Sequence, residues 1–305
     1  MVRRIWLFVT LLLTLITVWP AAAQTTPSTA QAFTQQTDPA SLIGAYYNAI
    51  TLGDYQRAYN YWLSLPGNHT VAEFAAGFAD TAKVQALVQL PIHEEVAVGG
   101  VQASVSTLLI ATLRDGTQGY YSGCFTTNKV NADNAPNSNW YLLNAKLRVQ
   151  PALDLTALAA TCPQLSSLTD TEIHPSQSDP LQTIQSYFAA LARGADSASY
   201  WENPQADPIM QSYSKEFTYM QSLSLFVNPE VKTQIVGDTI DALVPTLVVL
   251  NAPDNVHSYL TGCFTLRRSN TSTGESNWHL TNVALGGFST DPALAINTVA
   301  EGCTP

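Results

Sequence analysis

The stretch GYYSGCFT, residues 119–126, occurs again 139 residues later as SYLTGCFT, residues 258–265. The surrounding sequence repeats as well, because the dipeptide DP at residues 38–39 matches the same dipeptide at residues 179–180. A period of about 140 residues is too long for one unit of a solenoid protein. The sequence therefore predicts two whole domains in tandem, each with its own core.

The spacing between the copies also locates the segments outside the domains. We expect the first copy over residues 38–162 and the second over residues 179–305. Residues 24–37 and 163–178 are polar and contain few branched apolar side chains, so they bury too little surface to offset the entropy lost on ordering. The sequence therefore predicts a flexible tether over the first of these segments and a domain linker over the second.

Residues 1–23 have the features of a secretory signal peptide. Arg3 and Arg4 precede an apolar stretch over residues 5–18, and three small residues at 21–23 form a cleavage site. The apolar stretch is shorter than the roughly 20 residues that a membrane-spanning helix needs. We therefore expect a secreted protein, extracellular or periplasmic, with no integral membrane span once the signal has been removed.

The composition narrows the classes of partner. The chain has 305 residues, of which 46% are hydrophobic and 12% are charged, with 13 Lys and Arg against 23 Asp and Glu. The hydrophobic fraction is ample for packed cores and argues against a disordered chain. Nucleic acids and anionic lipids bind basic surfaces, so this acidic protein is not expected to bind either of them.

The four cysteines allow three disulfide connectivities. Duplication favours one bridge in each copy, Cys124 with Cys162 and Cys263 with Cys303. Closing loops of this size would stabilise each domain by roughly 4 kcal/mol in the chain-entropy model. Four free buried thiols are the alternative. A zinc site is not expected, because the sequence contains no C-x-x-C motif and no pair of histidines at ligand spacing.

Each copy begins with helical patterns. In the first copy, Asp38 is a good N-cap, the apolar side chains that follow share one helical face, and Gly53 ends the helix. Asp54 is a good N-cap for a second helix, which we expect to continue to Leu65. Thr70 and the glutamate three residues later form a capping box for a third helix.

Extended patterns follow the helices. β-Branched and aromatic runs cover residues 83–99, 101–114, 117–128 and 138–149, with a hairpin signal at residues 115–116. A short helix over residues 151–160 would then bring Cys162 back to Cys124. This order predicts an α+β fold, in which N-terminal helices pack on one face of a curved antiparallel sheet and a short C-terminal helix ends each copy.

Both copies resemble the nuclear transport factor 2-like superfamily, over residues 38–162 and 179–303. The resemblance is carried by Tyr46, Tyr47, residues 52–54, Trp62, residues 119–126 and residues 139–142. It implies two tandem cone-shaped domains, in each of which a curved sheet wraps the first helices. Members of the superfamily include transport factors, isomerases, dehydratases, polyketide cyclases and non-catalytic extracellular modules, so the resemblance leaves the activity open.

The resemblance also implies where a catalytic site would lie. Family enzymes hold a base and an oxyanion donor inside the cone. In the first copy Tyr47 is the candidate donor, and Asp80 or His93 is the candidate base. The matching residues of the second copy are Phe188, Met220 and Lys232. The alternative assigns these candidates to a packed tyrosine, a helix-end aspartate and a surface histidine.

No metal or cofactor is expected. His93 and Glu95 lie two residues apart on one predicted strand, but the sequence offers no third ligand beside them. Motifs typical of serine hydrolases, zinc peptidases and nucleotide-binding proteins do not occur in the sequence.

Aromatic residues are the class that the two copies share most clearly, and they could line an apolar cavity or fill the core. They are Tyr46, Trp62, Phe78, Tyr120 and Trp140 in the first copy and Tyr187, Trp201, Phe217, Tyr259 and Trp278 in the second. The sequence thus favours a secreted, non-enzymatic binding module for a small apolar ligand or an extracellular protein partner. Two alternatives remain open: an isomerase- or cyclase-type enzyme active in the first copy only, and an adhesion module with an exposed aromatic patch.

Overall fold

Ten strands of this chain pair into a single antiparallel sheet, and five helices flank it in the part of the chain that the structure describes. The structure is a computed structural model. It describes residues 32–65, 67, 69–97, 100–130, 139–153, 155, 162, 176–206, 222–251, 257–271 and 276–303. The predicted signal peptide, most of the predicted tether and linker, and most of the predicted helix over residues 151–160 lie outside these residues.

The described part of the first repeat contains three helices and five strands. The helices are α1 (Pro39–Thr51), α2 (Tyr55–Asn60) and α3 (Val71–Ala76). The strands are β1 (Thr81–Leu90), β2 (His93–Ala97), β3 (Gly100–Leu113), β4 (Gln118–Val130) and β5 (Trp140–Gln150).

The second repeat has the same strand order. It begins with α4 (Pro180–Arg193), and short 3-10 turns at Ala198–Tyr200 and Pro204–Ala206 follow. The strands are β6 (Ser222–Val227), β7 (Lys232–Val236), β8 (Thr239–Asn251), β9 (His257–Ser269) and β10 (His279–Ser289). The last helix is α5 (Pro292–Glu301).

The predicted helix caps are confirmed. The Asp38 side chain accepts a hydrogen bond from the Ser41 backbone N–H at 2.9 Å, and Asp179 does the same for the first turn of α4. Thr70 and Glu73 form the predicted capping box at the start of α3. Gly53 follows α1 with a φ angle of 71°, which a glycine adopts without a steric penalty.

Two predicted elements differ from the observed ones. The run expected over residues 83–99 is divided into β1 and β2, because Pro91 lacks the N–H that a sheet ladder needs. The second helix ends at Asn60, before the predicted end at Leu65. The chain turns there to pair with β5, where the Leu63 backbone N–H donates to the Leu142 carbonyl oxygen at 2.9 Å.

The two repeats join edge to edge in the middle of the sheet. The strand order is β10-β9-β8-β6-β1-β3-β4-β5, with β2 beside β3 and β7 beside β8. At the junction β1 pairs antiparallel with its own counterpart β6, and Val88 lies opposite Val227. These two valines are equivalent in the repeat, so the junction is self-complementary in the manner of a twofold dimer interface. Residues 32–305 form one compact unit.

The sheet separates two hydrophobic cores. Side chains alternate along each strand, so in β1 Val88 contributes to the first core and Leu87 to the second. The first core contains residues of both α1 and α4, whereas the second is covered by α5 and by Leu153 and Leu155. The helices therefore lie on both faces of the sheet, although we expected them on one.

Both predicted disulfides are confirmed. Cys124 is bonded to Cys162 and Cys263 to Cys303, with Cα–Cα distances of 5.1 and 5.8 Å. Each bridge ties the strand with the repeated GCFT sequence to the segment that covers the second core.

The predicted α+β class is also confirmed, because the described helices pack against an antiparallel sheet.

Candidate binding surfaces

The aromatic residues shared by the repeats form two equivalent clusters in the first core. In the first repeat, Tyr46 is 4% exposed, and its ring centroid lies 4.8 Å from Tyr47 and 6.0 Å from Trp62. Both contacts have edge-to-face geometry, which suits the quadrupoles of aromatic rings. The rings therefore contact one another directly.

The second repeat reproduces this arrangement. Tyr187 is fully buried, and its ring centroid lies 5.3 Å from Phe188 and 6.0 Å from Trp201. The Nε1 atom of Trp201 is buried and has no hydrogen-bond partner, whereas the Trp62 side chain hydrogen-bonds with the Tyr46 hydroxyl. An unpartnered indole N–H group thus lies beside the buried Tyr187 of the second repeat.

The other residues that we predicted to line a cavity do not lie together beside these clusters. Phe78 is half-buried and stacks on Tyr55 at a centroid distance of 6.3 Å, while Trp140 and Trp278 are buried in the first core. Tyr120 and Tyr259 lie on the opposite face of the sheet, against the second core. Phe217 lies outside the described residues. The predicted set is therefore divided between two faces of the sheet.

The candidate catalytic residues occupy different environments. Tyr47 is 4% exposed, and its ring packs edge-to-face against Phe125 at 6.1 Å. Burial raises the pKa of its hydroxyl well above the ordinary value, and the neighbouring Tyr46 raises it further. Asp80 is exposed at the turn before β1.

The candidate histidine and the metal-site prediction involve β2. The backbone of His93 pairs with Ser104, and its side chain lies outside the described part of the structure. Among the described residues, no group of three or more His, Cys, Asp or Glu side chains could hold a metal ion.

A buried and a partly buried carboxyl group lie near each other where the repeats meet, and no sequence pattern predicted that they would pair. They are the helix caps Asp38 and Asp179, and Asp38 is only 5% exposed. Burial raises the pKa of both carboxyls, and the charge of Asp38 raises that of Asp179 further. One oxygen of Asp38, Oδ2, is buried without a hydrogen-bond partner. The junction therefore favours the protonated form of this pair.

A second polar group at the junction links Asn48 and Arg57 of the first repeat to Glu230 of the second. Oδ1 of Asn48 accepts from Arg57 at 3.1 Å, and Nδ2 of Asn48 donates to Oε2 of Glu230 at 3.3 Å. The loop around Glu230 lies directly on α1, because a Cβ atom on Gly44 would come within 2.9 Å of the Pro229 carbonyl oxygen. The position equivalent to Asn48 is the buried Ala189.

Exposed apolar side chains recur at equivalent positions of the two repeats. Val96 in β2 is 88% exposed, and its counterpart Ile235 in β7 is 70% exposed. Val149 in β5 is 75% exposed, and its counterpart Phe288 in β10 is 45% exposed. Isolated exposed apolar residues are common, but the same exposure at two pairs of equivalent positions is a repeated surface property.

The outer strands β5 and β10 are covered by their own repeats only at their beginnings. In the first repeat the Leu142 N–H donates to the Tyr61 carbonyl oxygen at 2.8 Å, and in the second the Glu202 N–H donates to the Leu280 carbonyl oxygen at 2.9 Å. In the part of the chain that the structure describes, no other strand pairs with the outer side of β5 or β10. Within the described ranges, backbone pairing on the outer side of β5 and β10 is thus confined to the beginning of each strand.

The comparisons with known proteins add no family or relative. No family model matches the chain, and no curated protein matches it. The described helices include none that is both long and apolar enough to cross a membrane. The roles of the residues therefore have to be argued from their own geometry and chemistry.

Proposed function

We propose that this chain is a secreted, non-enzymatic binding protein that recognises a protein partner through its surface. The observation that carries the proposal is the repeated exposure of apolar side chains at Val96 and Ile235 and at Val149 and Phe288. Apolar surface that stays exposed in a folded protein is stabilised when a partner covers it. Duplication gives the chain two such surfaces, which would allow one chain to engage a partner at two places.

The interior supports surface recognition. Tyr46 and Tyr187 are buried and contact Trp62 and Trp201, so these aromatic side chains already have packing partners in the absence of a ligand. Tyr47, the candidate oxyanion donor, is held between Tyr46 and Phe125, while the candidate base Asp80 is exposed. The contacts of these residues thus favour a framework role over the isomerase or cyclase alternative.

We propose in addition that each repeat is a cone of the nuclear transport factor 2-like type and that residues 1–23 direct the chain out of the cytoplasm. The order of helices before strands, and the position of α1 and α4 against one face of the sheet, support the first part. Two disulfides support the second, because such bridges persist in oxidising compartments.

The unpartnered indole N–H of Trp201 favours a second candidate function, binding of a small, mainly apolar ligand. A buried N–H without an acceptor costs free energy, and a ligand carbonyl or ether oxygen would satisfy it. Trp201 would provide such a donor beside the buried Tyr187. This candidate places the ligand inside the second repeat, away from the exposed apolar positions.

Site-specific photo-crosslinking in the natural host tests the principal proposal. A photo-reactive amino acid is placed at Val96 or Ile235 and, as matched controls, at Glu95 or Gln234. Each control is exposed and adjacent on the same strand, with its side chain on the opposite face. We expect the same protein adduct from Val96 and Ile235 and none from the controls. Equal labelling at all four positions, or none at any, would contradict surface recognition by these residues.

Native mass spectrometry of the exported, oxidised protein tests the second candidate. We expect the native mass to equal the mass after denaturation. An excess mass that is lost on denaturation, and that is absent from a Trp201→Phe variant, would instead assign the ligand to the interior. Phenylalanine preserves a large aromatic side chain there while removing the N–H.

A further inference from the structure

The outer edge of β5 is long and regular. From Asn144 to Gln150, β5 keeps one continuous register with β4, which runs from Thr126 back to Tyr120. The register shift of this strand pair lies earlier, between Thr126 and Thr127. In such a strand, alternate backbone N–H and C=O groups point away from the sheet. The Ala145 N–H is taken by Oδ1 of Asn144 at 2.9 Å. Among the described residues, the other outward groups over Asn144–Gln150 offer a row of backbone donors and acceptors.

The side chains along this edge alternate in chemistry. Lys146 and Arg148 lie on one face, and Leu147 and Val149 lie on the other. All four are exposed, Leu147 at 38% and Val149 at 75%. Neither basic side chain makes an ion pair with any residue in the described part of the chain. The edge thus presents a basic row and an apolar row on either side of the open backbone.

The equivalent edge of the second repeat lacks both features. The pairing partners show that Ala284 stands where the first repeat has Lys146 and that Gly287 stands where it has Arg148. The register of β10 also shifts between Leu285 and Gly287, and irregularities of this kind disturb strand pairing at sheet edges. The regular, basic edge is therefore specific to β5.

The charges on β5 discriminate between possible strands. Pairing β5 with β5 of a second copy would bring four positive side chains together, which disfavours self-association through this edge. The same side chains favour a strand with acidic residues on the matching face. The chain as a whole has 13 Lys and Arg against 23 Asp and Glu, so a basic edge is a local exception to its overall charge.

We propose that the open edge of β5, over Asn144–Gln150, binds an extended segment of a partner protein as an added strand, and that this segment alternates acidic and apolar side chains. Backbone hydrogen bonds hold the segment, Lys146 and Arg148 pair with its acidic side chains, and Leu147 and Val149 contact its apolar side chains. The inference rests on the proposed function in one respect, since it takes the partner to be a protein.

The test measures binding of a fluorescent peptide of about seven alternating glutamate and valine residues, matched to the length of the edge. Fluorescence anisotropy against the full chain is expected to show saturable binding, whereas a peptide of alternating lysine and valine does not bind. We expect the variant K146Q/R148Q to bind the acidic peptide about tenfold more weakly. The variant K83Q/K232Q loses two positive charges at other exposed positions and should bind as the unaltered chain does.

Backbone methylation separates strand addition from attraction between charges. Two peptides are made, each N-methylated at one of the two alternating sets of amides. Since only one set can face β5, one peptide should lose binding and the other should keep it. Equal binding of both methylated peptides would overturn strand addition, and equal loss in K146Q/R148Q and K83Q/K232Q would overturn the role of Lys146 and Arg148.

Two further outcomes are decisive. No binding of the acidic peptide up to about 1 mM would overturn the β5 site. If photo-crosslinking at Val96 and Ile235 still gives a protein adduct, the proposed function survives that failure. A dimer of the chain that disappears in K146Q/R148Q would assign the edge to a second copy and overturn the partner chemistry proposed here.

Discussion

The two repeats share their framework down to single hydrogen bonds. In the first, the Gln36 carbonyl oxygen accepts from the Trp140 N–H at 3.0 Å, and in the second the Gln177 carbonyl oxygen accepts from the Trp278 N–H at 2.9 Å. Isolated bridges join Trp62 with Leu142 and Trp201 with Leu280 in the same way. Contacts present twice in one chain are those that the fold itself requires.

The repeats differ in polar and charged side chains. The group formed by Asn48, Arg57 and Glu230 has no counterpart around Ala189, and Lys146 is replaced by Ala284 in the outer strand. Neither difference disturbs the shared ladder of strands. The common scaffold therefore differs from two features without repeat symmetry, the contact of Asn48 with Glu230 and the basic edge of β5.

The largest predicted effect concerns the scaffold. Replacing Tyr187 or Tyr46 with alanine should lower the free energy of unfolding by about 3 to 5 kcal/mol, because each fills a closely packed aromatic cluster. Both substitutions should shift one and the same unfolding transition, since β1 and β6 join the repeats and the first core contains residues of both. Calorimetry and urea denaturation measure this directly.

The exposed substitution Gln56→Ala serves as the control and should leave the transition within about 0.5 kcal/mol of its original position. Two separate transitions, one lowered by Tyr46→Ala alone and the other by Tyr187→Ala alone, would show that the repeats unfold independently. The predicted division into two domains would then hold energetically as well as in sequence.

Local chemistry made much of the scaffold predictable. The caps at Asp38, Asp179 and Thr70 were visible because a short polar side chain before an apolar helical pattern satisfies the first backbone N–H groups. The disulfides were predictable because duplication favours one bridge at an equivalent place in each copy. The positions of the strands followed from β-branched and aromatic runs.

Long-range pairing was not predictable in the same way. Nothing in the sequence near Val88 or Val227 indicates that β1 and β6 would pair, since the pattern of a strand shows which side chains are buried but does not show which strand lies beside it. The meeting of Asp38 and Asp179 depends on that junction. Likewise, the alternation of basic and apolar residues from Lys146 to Val149 is visible in the sequence, but only the sheet order shows that these residues lie on an outer strand.

An intermediate effect is expected at the polar group that joins Asn48 and Arg57 to Glu230. Asn48→Ala removes the hydrogen bond that Arg57 donates to Asn48 and the one that Asn48 donates to Glu230. It should lower the free energy of unfolding by about 2 kcal/mol. Glu230→Ala alone should cost less, because it leaves Asn48 bonded to Arg57. A double-mutant cycle in urea should then give a coupling of about 1 kcal/mol.

Additive effects of Asn48→Ala and Glu230→Ala would contradict this coupling and would remove the reason for treating the group as a contact between repeats. The matched change in the second repeat is Ala189→Gly, which alters the equivalent buried position without touching a polar partner. Its cost should be unaffected by Glu230→Ala.

The smallest effect concerns the pair Asp38 and Asp179, one from each repeat. Because burial raises the pKa of both carboxyls above the ordinary value of 3.8, the folded protein binds protons at these sites more tightly than the unfolded chain does. Their unfavourable contribution is complete above the folded pKa values and decreases as the pH falls through them toward 3.8. Acidification should therefore relieve a destabilisation at the junction.

The double variant D38N/D179N isolates this contribution, since asparagine caps a helix as well as aspartate while carrying no charge. At pH 8 the variant should be more stable than the unaltered chain by about 1 kcal/mol, and the difference should shrink as the pH is lowered to 4. Thermal unfolding of both proteins across this range measures the difference and cancels the titration of all other carboxylates. A difference that stays constant with pH, or a variant that is less stable at pH 8, would mean that the two carboxyls are charged at no cost. The charged forms of Asp38 and Asp179 would then cost no more free energy at the junction than in solvent, and the two carboxyls would act only as helix caps.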